Sequence, residues 1–138
     1  MSEPPALYNP TVMDHFLNPR NVGELAQPDA VGEAGEPNCG DMLKLHLRIA
    51  GGRIADVRFR ALGCAAAIAS SSMATELIKG RTLEEARHFS NDEVVAALGG
   101  LPEGKMQCSV LAAEALRAAL REHDGRAGGA TGDSRNNK

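Results

Sequence analysis

Three cysteines, Cys39, Cys64 and Cys108, carry the chemistry of this chain that packing does not explain by itself. Each falls at a junction between segments of different pattern. Cys39 lies in Pro37-Asn38-Cys39-Gly40-Asp41, Cys64 in Leu62-Gly63-Cys64-Ala65, and Cys108 in Lys105-Met106-Gln107-Cys108-Ser109. Thiolates are soft ligands suited to Zn²⁺, Cu(I) and iron–sulfur clusters. Zn²⁺ takes four ligands in a tetrahedron, and three Cys with the carboxylate of Asp41 supply that number. The ordinary alternative is that each cysteine is a small buried hydrophobe. Without a CxxC pair, the spacing alone is a weak metal signal.

The elements around these residues decide whether they can meet. Leu43, Leu45, Leu47 and Ile49 alternate with Lys44, His46 and Arg48, a strict period of two that predicts a strand. Gly51-Gly52 follows as a hairpin signal, and Val57, Phe59 and Ala61 against Asp56, Arg58 and Arg60 predict the return strand. Both strands show one apolar and one charged face, as expected of an antiparallel sheet with helices on one side and water on the other. Such a hairpin brings position 41 beside position 63, so Cys39, Asp41 and Cys64 are expected to converge at one end of the sheet.

Residues 65–79 contain no Gly or Pro, and Ala65, Ile68 or Ala69, Ser72 or Met73, and Leu77 follow a helical period, with Gly80 at the C-cap. Thr82 with Glu85 and Ser90 with Glu93 fit the capping-box spacing and predict short helices over about 83–88 and 91–98. A last helix is expected from about Met106 to His123, with Met106, Val110, Ala113, Leu116 and Leu120 facing inward and Glu114, Arg117 and Arg121 outward. Cys64 and Cys108 thus stand at predicted helix N-termini, where the macrodipole favours a thiolate. Upstream, Asn9-Pro10 opens a helix that Asn18-Pro19 ends, with Val12, His15, Phe16 and Leu17 on one face. Residues 21–40 read as an extended segment with at most one irregular strand.

The expected organisation is a loose leader over 1–7, one domain over 8–123, and a disordered tail over 124–138 that has no large apolar residue. A net charge of −3 gives no basic field for nucleic acid, and aromatics at 3% leave no stacking platform for single strands. No apolar run is long enough to span a bilayer. The N-terminal residues show neither a basic nor an apolar signal region, so a cytoplasmic chain is expected. An odd cysteine count there argues against a disulfide framework. Among the histidines, His46, His88 and His123 are expected in solvent, and His15 as a partly buried core residue. Lys44, Arg48, Arg53, Arg58 and Arg60 read as a solvated basic face of the sheet, with docking of a partner as the alternative.

The motifs taken together resemble the iron–sulfur cluster assembly scaffolds, the IscU type and the N-terminal domain of the NifU type. The matching segments are His15-Phe16-Leu17-Asn18-Pro19-Arg20-Asn21-Val22-Gly23, Cys39-Gly40-Asp41, Gly63 through Ser72, Lys79-Gly80, and Leu101-Pro102 through Cys108-Ser109, within about residues 8–122. The resemblance implies an α+β fold of the IscU/SufE kind: a small antiparallel three-stranded sheet with helices packed on one face. It implies a scaffold rather than an enzyme, on which a transient [2Fe–2S] cluster forms from iron and sulfur delivered by a cysteine desulfurase, for transfer to apo iron–sulfur proteins. Cys39, Cys64 and Cys108 are then sulfur acceptors and ligands with Asp41, and Zn²⁺ is a second occupant of the same ligands. An alternative implied role is a zinc-dependent persulfide acceptor acting with the desulfurase, and a third is a structural zinc module without sulfur traffic.

Two departures from the family pattern bear on the site. The family usually has His directly before the third cysteine, where this chain has Gln107, a poor ligand for soft metals. Gln107 and Lys105 are therefore expected beside the ligands rather than among them. Three Cys and one Asp also form the ligand set of the zinc-containing SufU type. That type carries an insertion for which the 44-residue interval from Cys64 to Cys108 leaves no room. Leu101-Pro102-Glu103-Gly104-Lys105 replaces the more proline-rich stretch that an Hsp70-type chaperone grips in IscU proteins, which weakens the expectation of that partner.

Overall fold

Three antiparallel strands, β1 (Ala30–Glu36), β2 (Asp41–Ala50) and β3 (Arg53–Leu62), form one sheet in the order β1-β2-β3. Among the described residues five helices accompany it, in the sequence α1 (Pro10–Leu17), then after the strands α2 (Ala65–Ile78), α3 (Leu83–Arg87), α4 (Asn91–Leu98) and α5 (Val110–Thr131). The computed structural model describes residues 8–36, 41–101 and 110–131. None of the described helices is long and apolar enough to cross a membrane.

The period-two pattern becomes the core face of the sheet. Leu43, Leu45, Leu47, Ile54, Val57 and Phe59 are all buried there, each worth roughly 1.5–3 kcal/mol in side chain removed from water. Gly51 and Gly52 both hold positive φ, at 60° and 75°, as the two-residue turn between β2 and β3 requires. The resulting register pairs Met42 with Leu62 at the far end of the hairpin. The stretch over 21–40 is more regular than its composition suggests. All seven residues of β1 pair with β2, from Ala30 opposite Leu47 to Glu36 opposite Asp41.

The outer face of the sheet is not open to water throughout. Residues 21–23 run along the free edge of β3, where Phe59 N–H donates to Asn21 O and Gly23 N–H to Phe59 O. By Asp29 the chain has reached the other side of β2, where Asp29 N–H donates to Leu47 O. Residues 24–28 therefore cross beneath the sheet. This corrects the expectation for His46, which is buried at 7% exposure. Its Nδ1 accepts from Leu25 N–H at 3.1 Å. Leu17 is the converse case, 65% exposed instead of sharing the buried face of Val12 and His15.

Helix α2 occupies the centre, against the sheet, α1, α4 and α5. Its buried residues are almost all small or polar, including Ala66, Ala67, Ala69, Ser70, Ser71, Ser72 and Ala74. Of the expected helical stripe, Ala69 and Ser72 are buried, whereas Ala65, Ile68, Met73 and Leu77 are only half-buried. A helix enclosed on several sides buries whatever residues let its neighbours approach, so a single apolar stripe does not describe it. At α3 the expected capping box is present: Glu85 N–H donates to Thr82 Oγ1 and Thr82 N–H to Glu85 Oε1. At α4, Ser90 N–H donates to Glu93 Oε2.

Helix α5 lies along β1 in close contact. A Cβ on Gly32 would collide with Ala115 O and Ala119 N. The inward stripe of Ala113, Leu116 and Leu120 is buried as expected, joined by Ala112, Ala115 and Ala119. The helix does not stop near His123, as its apolar stripe suggests, but continues to Thr131. Arg87 holds Asp124 with paired hydrogen bonds of 2.8 and 2.9 Å, a long-range anchor invisible to local composition. The expectation for residues 1–7, the beginning of the last helix at Met106 and residues 132–138 lie outside the described residues.

Candidate functional site at the end of the hairpin

The β2–β3 hairpin delivers its two free ends to one place. Asp41 opens β2, and Gly63 directly follows β3 opposite it. Gly63 holds φ at 151°, and a Cβ there would stand 2.6 Å from Asp41 Oδ1 and 3.0 Å from the Ala67 methyl. The carboxylate of Asp41 thus fills the space that a side chain at 63 would need. The next residue, Cys64, is half-buried and is the N-cap of α2, at φ −76° and ψ 176°. Its carbonyl accepts the first helical bond, from Ile68 N–H at 3.1 Å. A carboxylate and a thiol-bearing residue therefore share the positive end of the central helix, a setting that stabilises bound negative charge.

Of the expected ligands, the structure brings Asp41 and Cys64 together. Cys39 and Cys108 lie outside the described residues, as do Gln107 and Lys105. Among the described residues no three His, Cys, Asp or Glu form a metal-binding group. The direction of α5 is informative nevertheless. Val31 N–H donates to Glu122 Oε1, whereas Gly32, one residue on, packs on Ala115 and Ala119. The helix therefore runs antiparallel to β1, and its N-terminal end at Val110 points toward the Glu36–Asp41 end of the sheet.

A polar network fixes α1 and its exit to α2 beside this site. Ser72 Oγ accepts from Arg20 N–H at 2.9 Å and shares a 2.7 Å hydrogen bond with His15 Nδ1. His15 is buried at 7% exposure. Burial, and then the nearby Arg20 charge, hold its pKa below the ordinary 6.5, with Asp14 and Glu76 pulling the other way. Asn21 takes a left-handed backbone, φ 61°, and its Nδ2 donates to Thr75 Oγ1 and Glu76 Oε2, both at 2.9 Å. The His15–Gly23 segment thus positions rather than ligates: it ties α1 to α2 and lays 21–23 on β3.

Sequence reasoning missed two features here. One is Ser72 as the partner of His15, which no spacing rule connects. The other is a groove of about 450 Å³ beside the site, lined by Pro19, Val22, Met42, Phe59, Leu62 and Ile68 among others. A signal for it was present: Met42 and Leu62 are large apolar residues at positions in phase with the charged face of their strands.

Known proteins bear on this geometry. The chain is 54% identical over 114 residues to the iron–sulfur cluster assembly scaffold protein IscU 1 of Archaeoglobus fulgidus, covering 83% of this chain and 74% of that one. It is 47% identical over 120 residues to the corresponding IscU protein of Azotobacter vinelandii, covering 84% and 93%. A crystal structure of the N-terminal part of a NifU-like protein from Brucella abortus superposes with a TM-score of 0.67 at 24% identity, over 87% of this chain and 96% of that one, which shows the shared fold. The model of the NifU-like N-terminal domain matches residues 7–130. With an antiparallel three-stranded sheet, a central helix capped by Cys64 and a match over nearly its whole length, this chain belongs to the NifU-like N-terminal domain family.

Proposed function

We propose that this protein is a scaffold on which a [2Fe–2S] cluster is assembled from iron and desulfurase-derived sulfur and then released to apo-proteins. The cluster is cargo, held by the thiolates of Cys39, Cys64 and Cys108 with the Asp41 carboxylate as the fourth donor. The observation that carries this reading is the packing of Asp41 Oδ1 against Gly63, directly before the half-buried Cys64 at the N-terminus of α2. Relatives at 54% and 47% identity are named as cluster assembly scaffolds, which supports the same reading.

The chemistry suits a temporary hold. Thiolates bind iron tightly and accept sulfur, while a hard carboxylate makes one exchangeable corner. Cys39 precedes Asp41 by two positions and Cys108 precedes Val110 by two, and two residues of chain span at most about 7 Å. Each persulfide sulfur needs two electrons to become sulfide; two ferrous ions oxidised to ferric supply two of the four required, and a thiol reductant or an electron-donor protein supplies the other two, while the chain contributes ligands and so acts as a scaffold.

Anaerobic incubation with ferrous iron, cysteine, a thiol reductant and a cysteine desulfurase tests the proposal. The expected result is a visible cluster chromophore that passes to an apo-ferredoxin, and its loss in Cys64→Ser with the far-UV circular dichroism unchanged. Stoichiometric zinc binding with no chromophore under any of these conditions would overturn it.

A further inference from the structure

Helices α3 and α5 border a shallow hollow of about 230 Å³, lined by Arg87, Arg117, Leu120, Arg121 and Asp124. Residues 117, 120, 121 and 124 recur at helical spacing and so form one stripe of α5. Leu120 is its floor, at 3% exposure. The charges around the hollow do not balance. Both carboxylate oxygens of Asp124 accept from Arg87, at 2.8 and 2.9 Å, so that acid is already engaged. Arg117 and Arg121 are exposed, and among the described residues neither has an acidic partner. Glu114, one turn before Arg117, is exposed and makes no ion pair with it.

Like charges four residues apart on a helix oppose each other. Elsewhere Arg20, Arg58, Arg60 and Arg81 each hold a carboxylate. Two unpaired guanidiniums thus stand side by side on a chain whose net charge is −3. A guanidinium offers its N–H groups as a planar fork that matches a carboxylate. Asp124 on Arg87 already shows one carboxylate held in this hollow. The hollow is smaller than the roughly 300–1,000 Å³ of pockets that enclose a small ligand, so the occupant is a few side chains of a larger body lying across it. An acidic chain with 3% aromatics lacks the footprint for nucleic acid. An acidic protein segment satisfies charge and size together, and arginine clusters recognise such motifs.

We propose that this hollow docks an acidic segment of a partner protein, with two carboxylates about one helical turn apart set against Arg117 and Arg121. The position leaves the cysteine end of the fold uncovered. Helix α5 leads away from that end, and at 1.5 Å per residue Arg117 and Arg121 lie about 10 to 17 Å along its axis from Val110. No proposed metal ligand takes part, so the inference does not depend on the scaffold reading.

The test titrates the full chain with an alanine-based peptide carrying two glutamates four residues apart, and with a twin carrying glutamine at both positions. Arginine side-chain and α5 backbone signals are followed by NMR. The glutamate peptide should shift the signals of Arg87, Arg117 and Arg121, and the glutamine twin should shift none of them. The double variant Arg117→Gln/Arg121→Gln should bind the glutamate peptide about fivefold more weakly, as loss of two exposed ion pairs implies. Its thermal midpoint should not fall, because a like-charge pair has been removed. Arg117→Glu/Arg121→Glu should instead bind a peptide with lysines at the same two positions. Arg48→Gln, which removes an exposed arginine of β2 outside the hollow, should bind the glutamate peptide normally. Absence of shifts with the glutamate peptide overturns the proposal. So does equal binding of the glutamine twin, or a loss in Arg48→Gln as large as in the double variant, which would make the attraction diffuse. Inorganic phosphate shifting the same signals at lower concentration than the peptide also overturns it, since the hollow would then be a phosphate subsite.

Discussion

The carboxylate of Asp41 sits where residue 63 would carry its side chain: Oδ1 lies 2.6 Å from the position of a Cβ on Gly63. The hairpin register alone brings the two ends of β2 and β3 together, but the absence of a side chain at 63 is what lets the Asp41 carboxylate pack against Gly63, the residue before Cys64. Gly63→Ala should therefore displace the carboxylate and also strain a backbone at φ 151°, costing about 1–3 kcal/mol. The steric part of that loss should be smaller in an Asp41→Ala background, because the clashing carboxylate is gone. Thermal unfolding of the four members of this cycle measures the coupling. Strict additivity would mean that the two residues do not touch in solution.

Stability should fall with acid in a window set by His15. Its folded pKa is depressed, first by burial and then by Arg20, so the folded state prefers the neutral ring. Below the ordinary value of 6.5 the unfolded chain takes up a proton that the folded chain resists. The stabilisation is complete above that pH and is lost as pH falls through the lowered folded value. Asp14 and Glu93 are held below their ordinary values, each chiefly by an arginine hydrogen bond, from Arg20 and Arg81, and so act only in stronger acid. Thermal midpoints taken between pH 7.5 and pH 5.5 should decline, and His15→Gln should flatten the decline. An identical slope in the variant would assign it to another group.

The local parts of this structure are legible from sequence because local rules generate them. Leu43 to Ile49 alternate and form a strand, Gly51-Gly52 turns it, and Thr82 with Glu85 caps α3. The convergence of Asp41 and Cys64 followed from the same hairpin. What escaped depends on long-range contacts. His46 is buried because residues 24–28 cross beneath the sheet, an event that composition does not encode. Ser70, Ser71 and Ser72 are buried because α2 is enclosed, whereas hydroxyl side chains ordinarily read as surface. Helix α5 passes His123, and Asp124 just beyond it is held by Arg87, 37 residues earlier in the chain.

Gln107 yields a prediction from ligand chemistry. An amide oxygen binds soft metals poorly, whereas a neutral imidazole is a good ligand for iron and zinc. If position 107 reaches the cluster, Gln107→His should lengthen the lifetime of the reconstituted chromophore and slow its transfer to an apo-protein. Decay of the visible absorption in the presence and absence of a chelator measures both. An unchanged half-life would keep the donor set at three Cys and Asp41 and exclude position 107 from the site.

Gly32 tests how the last helix is brought to the site. A Cβ there would strike Ala115 O and Ala119 N, which belong to backbone and cannot rotate away. Gly32→Ala should push α5 off β1 and cost roughly 3 kcal/mol, the upper part of the usual range for overpacking. The displacement matters beyond stability, because α5 runs antiparallel to β1 and its N-terminal end leads back toward Cys108. In conditions where Gly32→Ala remains folded by far-UV circular dichroism, cluster yield from iron and sulfide should fall, while a surface change on the same helix, Arg117→Ala, should leave yield intact. Shortening the side chains that the new methyl meets cannot relieve the clash, since the obstructing atoms are main chain. An Ala119→Gly background should therefore restore little of the yield. Full restoration would show that the methyl of Ala119, not the helix backbone, sets the spacing between α5 and the sheet.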